Sequence, residues 1–101
     1  MSILHKDSAR MKKYFLYILE CNNGSFYTGY TTDLERRYAE HVSGSHKCKY
    51  TRAYPPRCLA ASWEFECELS FILRLEACIK KLSRREKEVL LTNTQLLYEL
   101  I

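Results

Sequence analysis

Three side chains of this 101-residue sequence, Arg37, His41 and Glu76, have the types and positions that phosphodiester chemistry requires. Such cleavage needs a cation that offsets developing negative charge, a carboxylate that binds a hard divalent metal, and a group that positions or deprotonates water. Arg37, Glu76 and either His41 or a tyrosine match these roles. An internal ion pair between Arg37 and Glu76 is the structural alternative, because it would also explain two charges that border predicted core stripes.

Two tyrosines and a glycine precede this group in the chain. Tyr17 lies in "YFLYILEC" and Tyr27 in "FYTGYT". A tyrosine in a strand is more often packing than catalysis, so neither one is informative alone. Gly29 weakens the second segment as a strand, and it therefore predicts a bulge, a ligand or the close approach of another backbone.

A basic segment from His46 to Arg57 could follow a phosphate backbone and stack a base. Its candidate nucleic-acid contacts are Lys47, Lys49, Tyr50, Arg52 and Arg57. The segment lacks periodicity and contains Pro55-Pro56, so it is predicted to be a loop. A solvated loop with no ligand is the alternative interpretation.

Three predicted strands form the scaffold for these residues, in "YFLYILEC", "FYTGYT" and "LAASWEFE". The first is apolar on both alternating faces, so it is placed at the centre of the sheet. The Asn23-Gly24 pair predicts a hairpin between the first two strands. A two-residue turn there would leave Tyr17 and Tyr27 on opposite faces, whereas an odd-length loop or a bulge would bring them together. In the third strand, one alternating set is Leu59, Ala61, Trp63 and Phe65.

Three predicted helices complete the scaffold. The caps are predicted at Thr32 or Asp33, at Ser70 and at Ser83, where Ser83 with Glu86 forms a capping box. The first helix is predicted to end by Gly44. Its residues Leu34, Tyr38 and Val42 are predicted to face the core, with Arg37 and His41 beside them and Arg36 and Glu40 toward water. In the second helix, Ile72, Leu75, Ile79 and Leu82 form the apolar stripe that Glu76 borders.

Length and composition predict one domain with a sizeable core. Residues 1–13 are predicted to be a leader that is flexible at least in part, 14–92 the folded domain, and 93–101 a C-terminal tail. A net charge of +4 is compatible with a polyanionic partner without requiring one. No apolar run approaches the roughly 20 residues of a membrane span, so a soluble protein with no membrane partner is predicted.

Cysteine usage predicts a reducing compartment. The chain has five cysteines, no C-x-x-C and no signal peptide, which together favour free thiols in the cytoplasm. A zinc site from His41, His46, Cys48 and Cys58 is an alternative. Those spacings match no common zinc finger, so this alternative is weak.

The ordered set of Tyr17, Tyr27, Gly29, Arg37, His41 and Glu76 resembles the GIY-YIG endonuclease domain, above all the small single-domain bacterial members. These are related to the N-terminal nuclease domain of the bacterial excinuclease. Phe15-Leu16-Tyr17 stands where the family has Gly-Ile-Tyr, and Tyr27-Thr28-Gly29 keeps the tyrosine and glycine of the second signature. Arg37 follows Tyr27 by ten residues, which is the family spacing, and Glu76 matches the metal-binding glutamate. The resemblance runs from about Tyr14 to Glu88.

The resemblance implies an α+β fold in which about three helices flank a three-stranded antiparallel sheet. It implies that Glu76 binds one Mg²⁺ or Mn²⁺ ion and that Arg37 stabilises the transition state. Tyr27 would activate or position water, helped by Tyr17 and His41, and which of the three is the base stays open. Tyr17 and Tyr27 would share one face, which makes the odd-length hairpin loop a prediction.

The resulting hypothesis is a metal-dependent endonuclease that hydrolyses DNA in repair or recombination, with branched or damaged DNA as candidate substrates. A protein partner would help to select the substrate, and affinity for DNA is expected to be low without it. The rival hypothesis is a catalytically weak module on the same fold that binds nucleic acid or docks a partner. A third hypothesis is a structural protein in which Arg37 and Glu76 only bridge each other.

Overall fold

The computed structural model describes residues 10–101, and its α+β architecture confirms the predicted fold class. Three antiparallel strands, β1 (Lys12–Cys21), β2 (Phe26–Thr31) and β3 (Pro56–Cys67), pair in the order β2-β1-β3. The helices in this part of the chain are α1 (Leu34–Ser43), α2 (Lys49–Ala53), α3 (Leu69–Lys81), α4 (Arg84–Thr92) and α5 (Leu96–Glu99). The three predicted helices are α1, α3 and α4. The predicted leader lies mostly outside the described residues, and its last two residues already belong to β1.

The central strand β1 buries side chains on both of its faces, as its sequence predicts. Tyr14, Leu16 and Ile18 belong to the main hydrophobic core on one face. The helices cover this face with Ile72, Leu75, Ile79, Leu90 and Leu97. Tyr17 and Leu19 are buried on the opposite face. Burial of each large aliphatic side chain stabilises the fold by about 1.5–3 kcal/mol, so both faces hold the strand in place.

The hairpin between β1 and β2 has a three-residue loop. The amide of Cys21 donates to the Ser25 carbonyl at 2.8 Å, and the amide of Gly24 donates to the Cys21 carbonyl at 2.8 Å. Gly24 has φ of 84°, a left-handed conformation that glycine adopts without strain. The loop length is odd, so Leu19 pairs with Tyr27. Tyr17 and Tyr27 therefore share one face of the sheet. The predicted odd-length loop is confirmed.

One irregularity in β3 corrects the predicted alternation of its side chains. Ile18 pairs with Ala61 whereas Leu19 pairs with Leu59, so Ala60 is an extra residue in β3. A bulge of this kind moves the residues beyond it to the other face. Leu59 therefore leaves the buried set and is exposed.

Helix α1 begins and ends where the sequence predicts, but its orientation differs. The Asp33 side chain accepts a hydrogen bond from the Arg36 amide at 3.1 Å, so Asp33 rather than Thr32 is the N-cap. Gly44 ends the helix with φ of 73°. The prediction that Val42 faces the core is wrong, since its side chain is 54% exposed. His41 is fully buried instead, because the helix turns its polar Arg37–His41 row toward the tyrosines of the sheet.

Helices α3 and α4 carry the next two caps. Glu68 is the N-cap of α3, so the prediction of Ser70 is wrong, and Ser70 lies in the first turn. The capping box of α4 is confirmed, with the Glu86 amide donating to Ser83 Oγ at 3.1 Å and the Ser83 amide donating to Glu86 Oε1 at 2.8 Å.

The five cysteines are free thiols, in agreement with the prediction. Within residues 10–101, no helix has the length and apolar character needed to cross a membrane.

Candidate active site

Tyr17, Tyr27 and His41 meet on the sheet face opposite the main core. The His41 ring centroid lies 5.7 Å from that of Tyr17 and 5.2 Å from that of Tyr27, and both contacts are edge-on. β1, β2 and α1 each supply one of these rings. Three of the residues that the sequence selects for chemistry are therefore in direct contact.

Gly29 accommodates the side chain of Tyr17, which is its directly paired neighbour across the β1–β2 ladder. A Cβ atom added at Gly29 would lie 2.6 Å from the Tyr17 hydroxyl and 2.7 Å from Cζ. The close approach predicted at Gly29 is thus made by a side chain rather than by a backbone. The Tyr17 ring lies across β2 at the one position where no side chain obstructs it.

A chain of buried hydrogen bonds continues from Tyr17 through His41. The Tyr17 hydroxyl lies 2.8 Å from His41 Nε2, and His41 Nδ1 lies 2.6 Å from Thr51 Oγ1. Thr51 Oγ1 also donates to the Cys48 carbonyl at 3.4 Å. Because the Thr51 hydroxyl donates its proton to that carbonyl, its oxygen accepts a hydrogen bond from His41 Nδ1–H. His41 Nε2 is then unprotonated and accepts a hydrogen bond from the Tyr17 hydroxyl. Both ring nitrogens of His41 are therefore occupied inside the protein.

Burial fixes the protonation states of this pair. Desolvation, and then the neighbouring Arg37 charge, lower the pKa of His41 to about 4, so the imidazole is neutral at neutral pH. Desolvation raises the pKa of Tyr17 to about 12, although the Arg37 guanidinium opposes this shift. A neutral imidazole and a protonated phenol, bonded to each other, are poorly suited to removing a proton from water.

Arg37 is held from two sides. Its Nη1 donates to Glu40 Oε1 at 3.0 Å, and its Nη2 donates to the Lys47 carbonyl at 3.5 Å. Burial alone would lower the pKa of Arg37, but the hydrogen bond to Glu40 and the nearby Tyr17 hydroxyl raise it, so the guanidinium stays charged. The same contact with Arg37 lowers the pKa of Glu40. Arg37 is thus an oriented cation with further N–H donors available to a phosphate.

Glu76 approaches the site from α3, which packs along β2. Its side chain is 17% exposed, and its carboxylate lies 3.7 Å from Lys80 Nζ, one turn further along the helix. Among residues 10–101, Arg37 and Glu76 form no ion pair with each other, so the bridge considered from the sequence does not form. The contact with the exposed Lys80 is a weak surface pair that a stronger cation can replace.

Tyr27 is only partly buried, whereas Tyr17 is fully buried. Desolvation raises its pKa, the Arg37 charge lowers it, and the Glu76 carboxylate contributes a further rise. Tyr27 therefore lies within electrostatic reach of both the cation and the carboxylate. The Tyr27 hydroxyl is also within hydrogen-bonding reach of the Arg37 side chain, which lowers its pKa.

The basic segment from His46 to Arg57 is not the loop that the sequence predicts, because residues Lys49–Ala53 form α2. This helix packs on the site: Thr51 is buried against His41, and the Tyr50 ring stacks on Tyr27 at 5.7 Å with an interplanar angle of 21°. The cationic candidates Lys47, Lys49 and Arg52 have exposed side chains. Arg57 pairs instead with Glu20 at 2.9 Å and donates to the Asn22 carbonyl in the hairpin loop at 3.3 Å.

The zinc alternative finds no support in this arrangement. His41 Nδ1 and Nε2 are both hydrogen-bonded, and the described residues include no group of three or more His, Cys, Asp or Glu side chains able to hold a metal ion. A structural zinc site requires four such ligands. A metal that is bound through one carboxylate and completed by water and phosphate oxygens is still compatible with this donor set.

Sequence reasoning missed two polar residues of the site, Glu40 and Thr51. Glu40 was predicted to face water, although its spacing of three residues from Arg37 is a recognised helical ion-pair spacing and could have identified it. No sequence pattern identifies Thr51, because its contact with His41 depends on the short helix α2, which the sequence pattern does not predict.

Comparison with known proteins gives a consistent result. Residues 13–89 match the family model of the GIY-YIG catalytic domain. The chain is 48% identical over 79 residues to the UPF0213 protein BH0048 of Halalkalibacterium halodurans, which covers 78% of this chain and 82% of that protein. It is 47% identical over 75 residues to the UPF0213 protein VNG_2274C of Halobacterium salinarum, covering 74% of this chain and 95% of the relative.

Two solution NMR structures have the same fold. The structure of the UPF0213 protein BH0048 from Bacillus halodurans matches 79% of this chain and 83% of its own, with a TM-score of 0.51 and 48% identity. The structure of the protein EF2693 from E. faecalis matches 84% of this chain and 88% of its own, with a TM-score of 0.57 and 42% identity.

Proposed function

The chain belongs to the GIY-YIG catalytic domain family, and from this premise we propose that it is an endonuclease that hydrolyses DNA phosphodiester bonds with the help of a divalent metal ion. Family membership supports a nuclease-type function. The names of the relatives specify no reaction, so the metal dependence, the substrate and the residue roles are argued from the site itself.

The surroundings of the Tyr27 hydroxyl carry the proposal. This residue is only partly buried, and both Arg37 and Glu76 act on its pKa. A cation, a carboxylate and an accessible titratable hydroxyl are the three components that phosphodiester hydrolysis needs. The convergence of these groups on Tyr27 supports a hydrolytic role for the site.

Tyr27 is assigned as the group that positions or deprotonates the attacking water. Tyr17 and His41 are buried and bonded to each other, which supports a positioning role for them rather than proton transfer. The raised pKa of Tyr27 means that nearby positive charge must favour its ionised form before it can act as a base. Arg37 supplies part of that charge.

Arg37 is assigned as the group that stabilises the negative charge developing on the phosphate. Glu40 and the Lys47 carbonyl hold its guanidinium before substrate arrives, so little reorganisation is needed in the transition state. Loss of a preorganised donor of this kind lowers turnover by roughly 10²–10³-fold in other hydrolytic sites.

Glu76 is assigned as the protein ligand of the metal, Mg²⁺ or Mn²⁺. One largely buried carboxylate whose partner is an exposed lysine suits a hard cation that keeps several waters and binds partly through substrate phosphate. When bound, the ion would supply charge that stabilises the phosphate oxygens and favours the ionised form of Tyr27.

We further propose that the protein acts in DNA repair or recombination in the cytoplasm, with a protein partner that helps to select branched or damaged DNA. The exposed cations Lys47, Lys49 and Arg52 lie close to the site and would contact the phosphate backbone. Five free thiols are compatible with a reducing compartment.

The test is cleavage of labelled single-stranded, duplex, flap and branched DNA with Mg²⁺ or Mn²⁺. We expect the wild-type protein to cut at least one substrate, and Glu76→Gln and Arg37→Lys to lose roughly 10²-fold or more of that rate. Arg36→Lys on the same helix as Arg37 and Glu88→Gln on α4 are matched controls, because both side chains are exposed and pair with Asp33 and Arg84 rather than with a residue of the site.

Two outcomes would contradict the proposal. If Glu76→Gln cuts as fast as the wild type with metal present, Glu76 is not the metal ligand and the mechanism is wrong. If no substrate is cut while DNA still binds, the docking module becomes the better description.

A further inference from the structure

Three tyrosine rings extend outward from the candidate active site. Tyr27 stacks on Tyr50 with 5.7 Å between ring centroids, and Tyr50 contacts Tyr54 at 5.3 Å with a tilt of 48°. Tyr50 and Tyr54 lie one turn apart on α2 and at its C-cap, so both project from the same side of the helix. We call Tyr27, Tyr50 and Tyr54 the tyrosine row.

The hairpin loop fixes the middle ring of the tyrosine row. The Tyr50 hydroxyl lies 2.6 Å from Ser25 Oγ and 3.5 Å from Asn23 Nδ2. Asn23 Oδ1 in turn accepts from the Ser25 hydroxyl at 2.7 Å and from the Ser25 amide at 3.1 Å. A ring that is held in this way loses little conformational entropy when a flat ligand stacks on it.

The outer part of the tyrosine row is open to solvent. Tyr50 is 40% exposed and Tyr54 is 43% exposed. Within the described residues the Tyr54 hydroxyl forms no hydrogen bond, so neither burial nor polar contacts explain the outward position of this ring. Packing against Tyr27 accounts for Tyr50, but it does not account for Tyr54.

The charge around the tyrosine row matches a polyanion. The segment from Ser45 to Tyr54 contains Lys47, Lys49 and Arg52 and has no aspartate or glutamate. All three of these basic side chains are exposed. Aromatic rings interleaved with exposed cations are typical of surfaces that bind single-stranded nucleic acid by stacking bases and contacting phosphates.

We propose that the tyrosine row is a stacking site for unpaired bases next to the scissile phosphate, so that the substrate class is DNA with a single-stranded segment at the point of cleavage. Bases in a duplex are already stacked on both faces, and a tyrosine can cover a base face only where the strand is unpaired or ends. The inference rests on the proposed function, since it concerns the strand held at Tyr27.

The test measures binding without metal, so that it does not depend on cleavage. The probes are a fluorescent oligothymidylate, an abasic strand of the same length, and a duplex of the same length, each titrated with protein in the presence of a chelator. We expect oligothymidylate to bind more tightly than either other probe. Tyr54→Ala should weaken its binding by about 5- to 150-fold, whereas Tyr54→Phe should retain it, because the ring rather than the hydroxyl makes the contact.

Tyr98→Ala is the matched control, since Tyr98 is 40% exposed and lies on α5, away from the tyrosine row. It should bind oligothymidylate as the wild type does. The stacking site is wrong if Tyr54→Ala binds normally, or if the abasic strand binds as tightly as oligothymidylate.

The outcomes for the stacking site and for the nuclease are separable. Base-dependent binding without cleavage in the presence of any metal would support the stacking site and contradict the proposal of an endonuclease. Cleavage that depends on Glu76 and Arg37 but is unaffected by Tyr54→Ala would retain the endonuclease and remove the stacking site. Absence of binding to every probe together with absence of cleavage would overturn both.

Discussion

The fit between Tyr17 and Gly29 is the tightest constraint on the site at the scale of single residues. The Tyr17 ring occupies the space where any larger residue at position 29 would place its Cβ atom. In that position its hydroxyl reaches His41, which also contacts Tyr27. The retained tyrosine and glycine of the two family signatures therefore act as one unit in this chain.

The first prediction follows from this fit. Gly29→Ala should lower the free energy of unfolding by about 1–3 kcal/mol, because the buried Tyr17 ring must move and lose its hydrogen bond to His41. Urea unfolding measures the change. In a Tyr17→Leu background the ring is absent, so the same glycine substitution should cost much less. An equal cost in both backgrounds would show that the contact is not the cause.

The second residue-scale prediction concerns acid stability. The folded pKa of His41 is lowered from 6.5 to about 4, so the unfolded chain binds more protons between these values. The contribution of His41 is therefore fully present above pH 6.5 and is lost as the pH falls toward 4, by about 3 kcal/mol in all. Urea midpoints between about pH 7 and about pH 4 should fall more steeply for the wild type than for His41→Gln.

His46→Gln is the control for this measurement, because the His46 side chain is exposed. It should follow the wild-type pH profile. If the His41→Gln and wild-type profiles have the same slope, acid destabilisation arises from other groups.

At the scale of elements, the sequence predicts best where a local pattern decides the outcome. The apolar run of β1, the Asn-Gly hairpin and the Ser83 capping box are local signals, and the structure confirms each. The errors arise where tertiary contacts override a pattern. The apolar stripe of helix α1 includes Val42, but the Val42 side chain is exposed. His41 is buried instead, because it forms hydrogen bonds with Tyr17 and Thr51.

The N-cap of α1 provides the element-scale prediction. The sequence allows Thr32 or Asp33 as the cap, and the structure selects Asp33 through its bond to the Arg36 amide. Asp33→Ala should therefore lower the free energy of unfolding by about 1 kcal/mol, and Thr32→Ala should change it by less than about 0.5 kcal/mol. Urea unfolding of both variants checks this, and a larger cost at Thr32 would contradict the assignment.

At the scale of the whole molecule, the candidate site was predictable as a set of residues but not as an arrangement. The ordered spacing of Tyr17, Tyr27, Arg37 and Glu76 identified the family resemblance without any geometry. The partners of those residues are set by how distant elements pack, which is why α2 and its contacts were missed. The odd-length loop was the exception. Side chains alternate between the two faces of a strand, so the number of loop residues determines whether Tyr17 and Tyr27 share a face.

The last prediction concerns residues 94–101, which belong to the C-terminal tail predicted from the sequence for residues 93–101. Leu97 is buried in the main core, and Trp63 Nε1 donates to the Thr94 carbonyl at 2.7 Å. Deletion of residues 94–101 should lower the free energy of unfolding by about 2–4 kcal/mol, through lost apolar burial and this hydrogen bond. Thermal unfolding measures the loss, and red-shifted emission of Trp63, the one tryptophan in the chain, should accompany it.

Deletion of residues 100–101 alone is the control for that truncation, because Leu100 and Ile101 are exposed and their loss should leave stability and Trp63 emission unchanged. If the longer deletion melts at the wild-type temperature, the tail is not part of the core. Helix α5 packs on the sheet face opposite Tyr17, so we expect it to stabilise the fold without contacting the candidate site. The longer deletion should therefore lower any nuclease activity only in proportion to the fraction of protein that is unfolded.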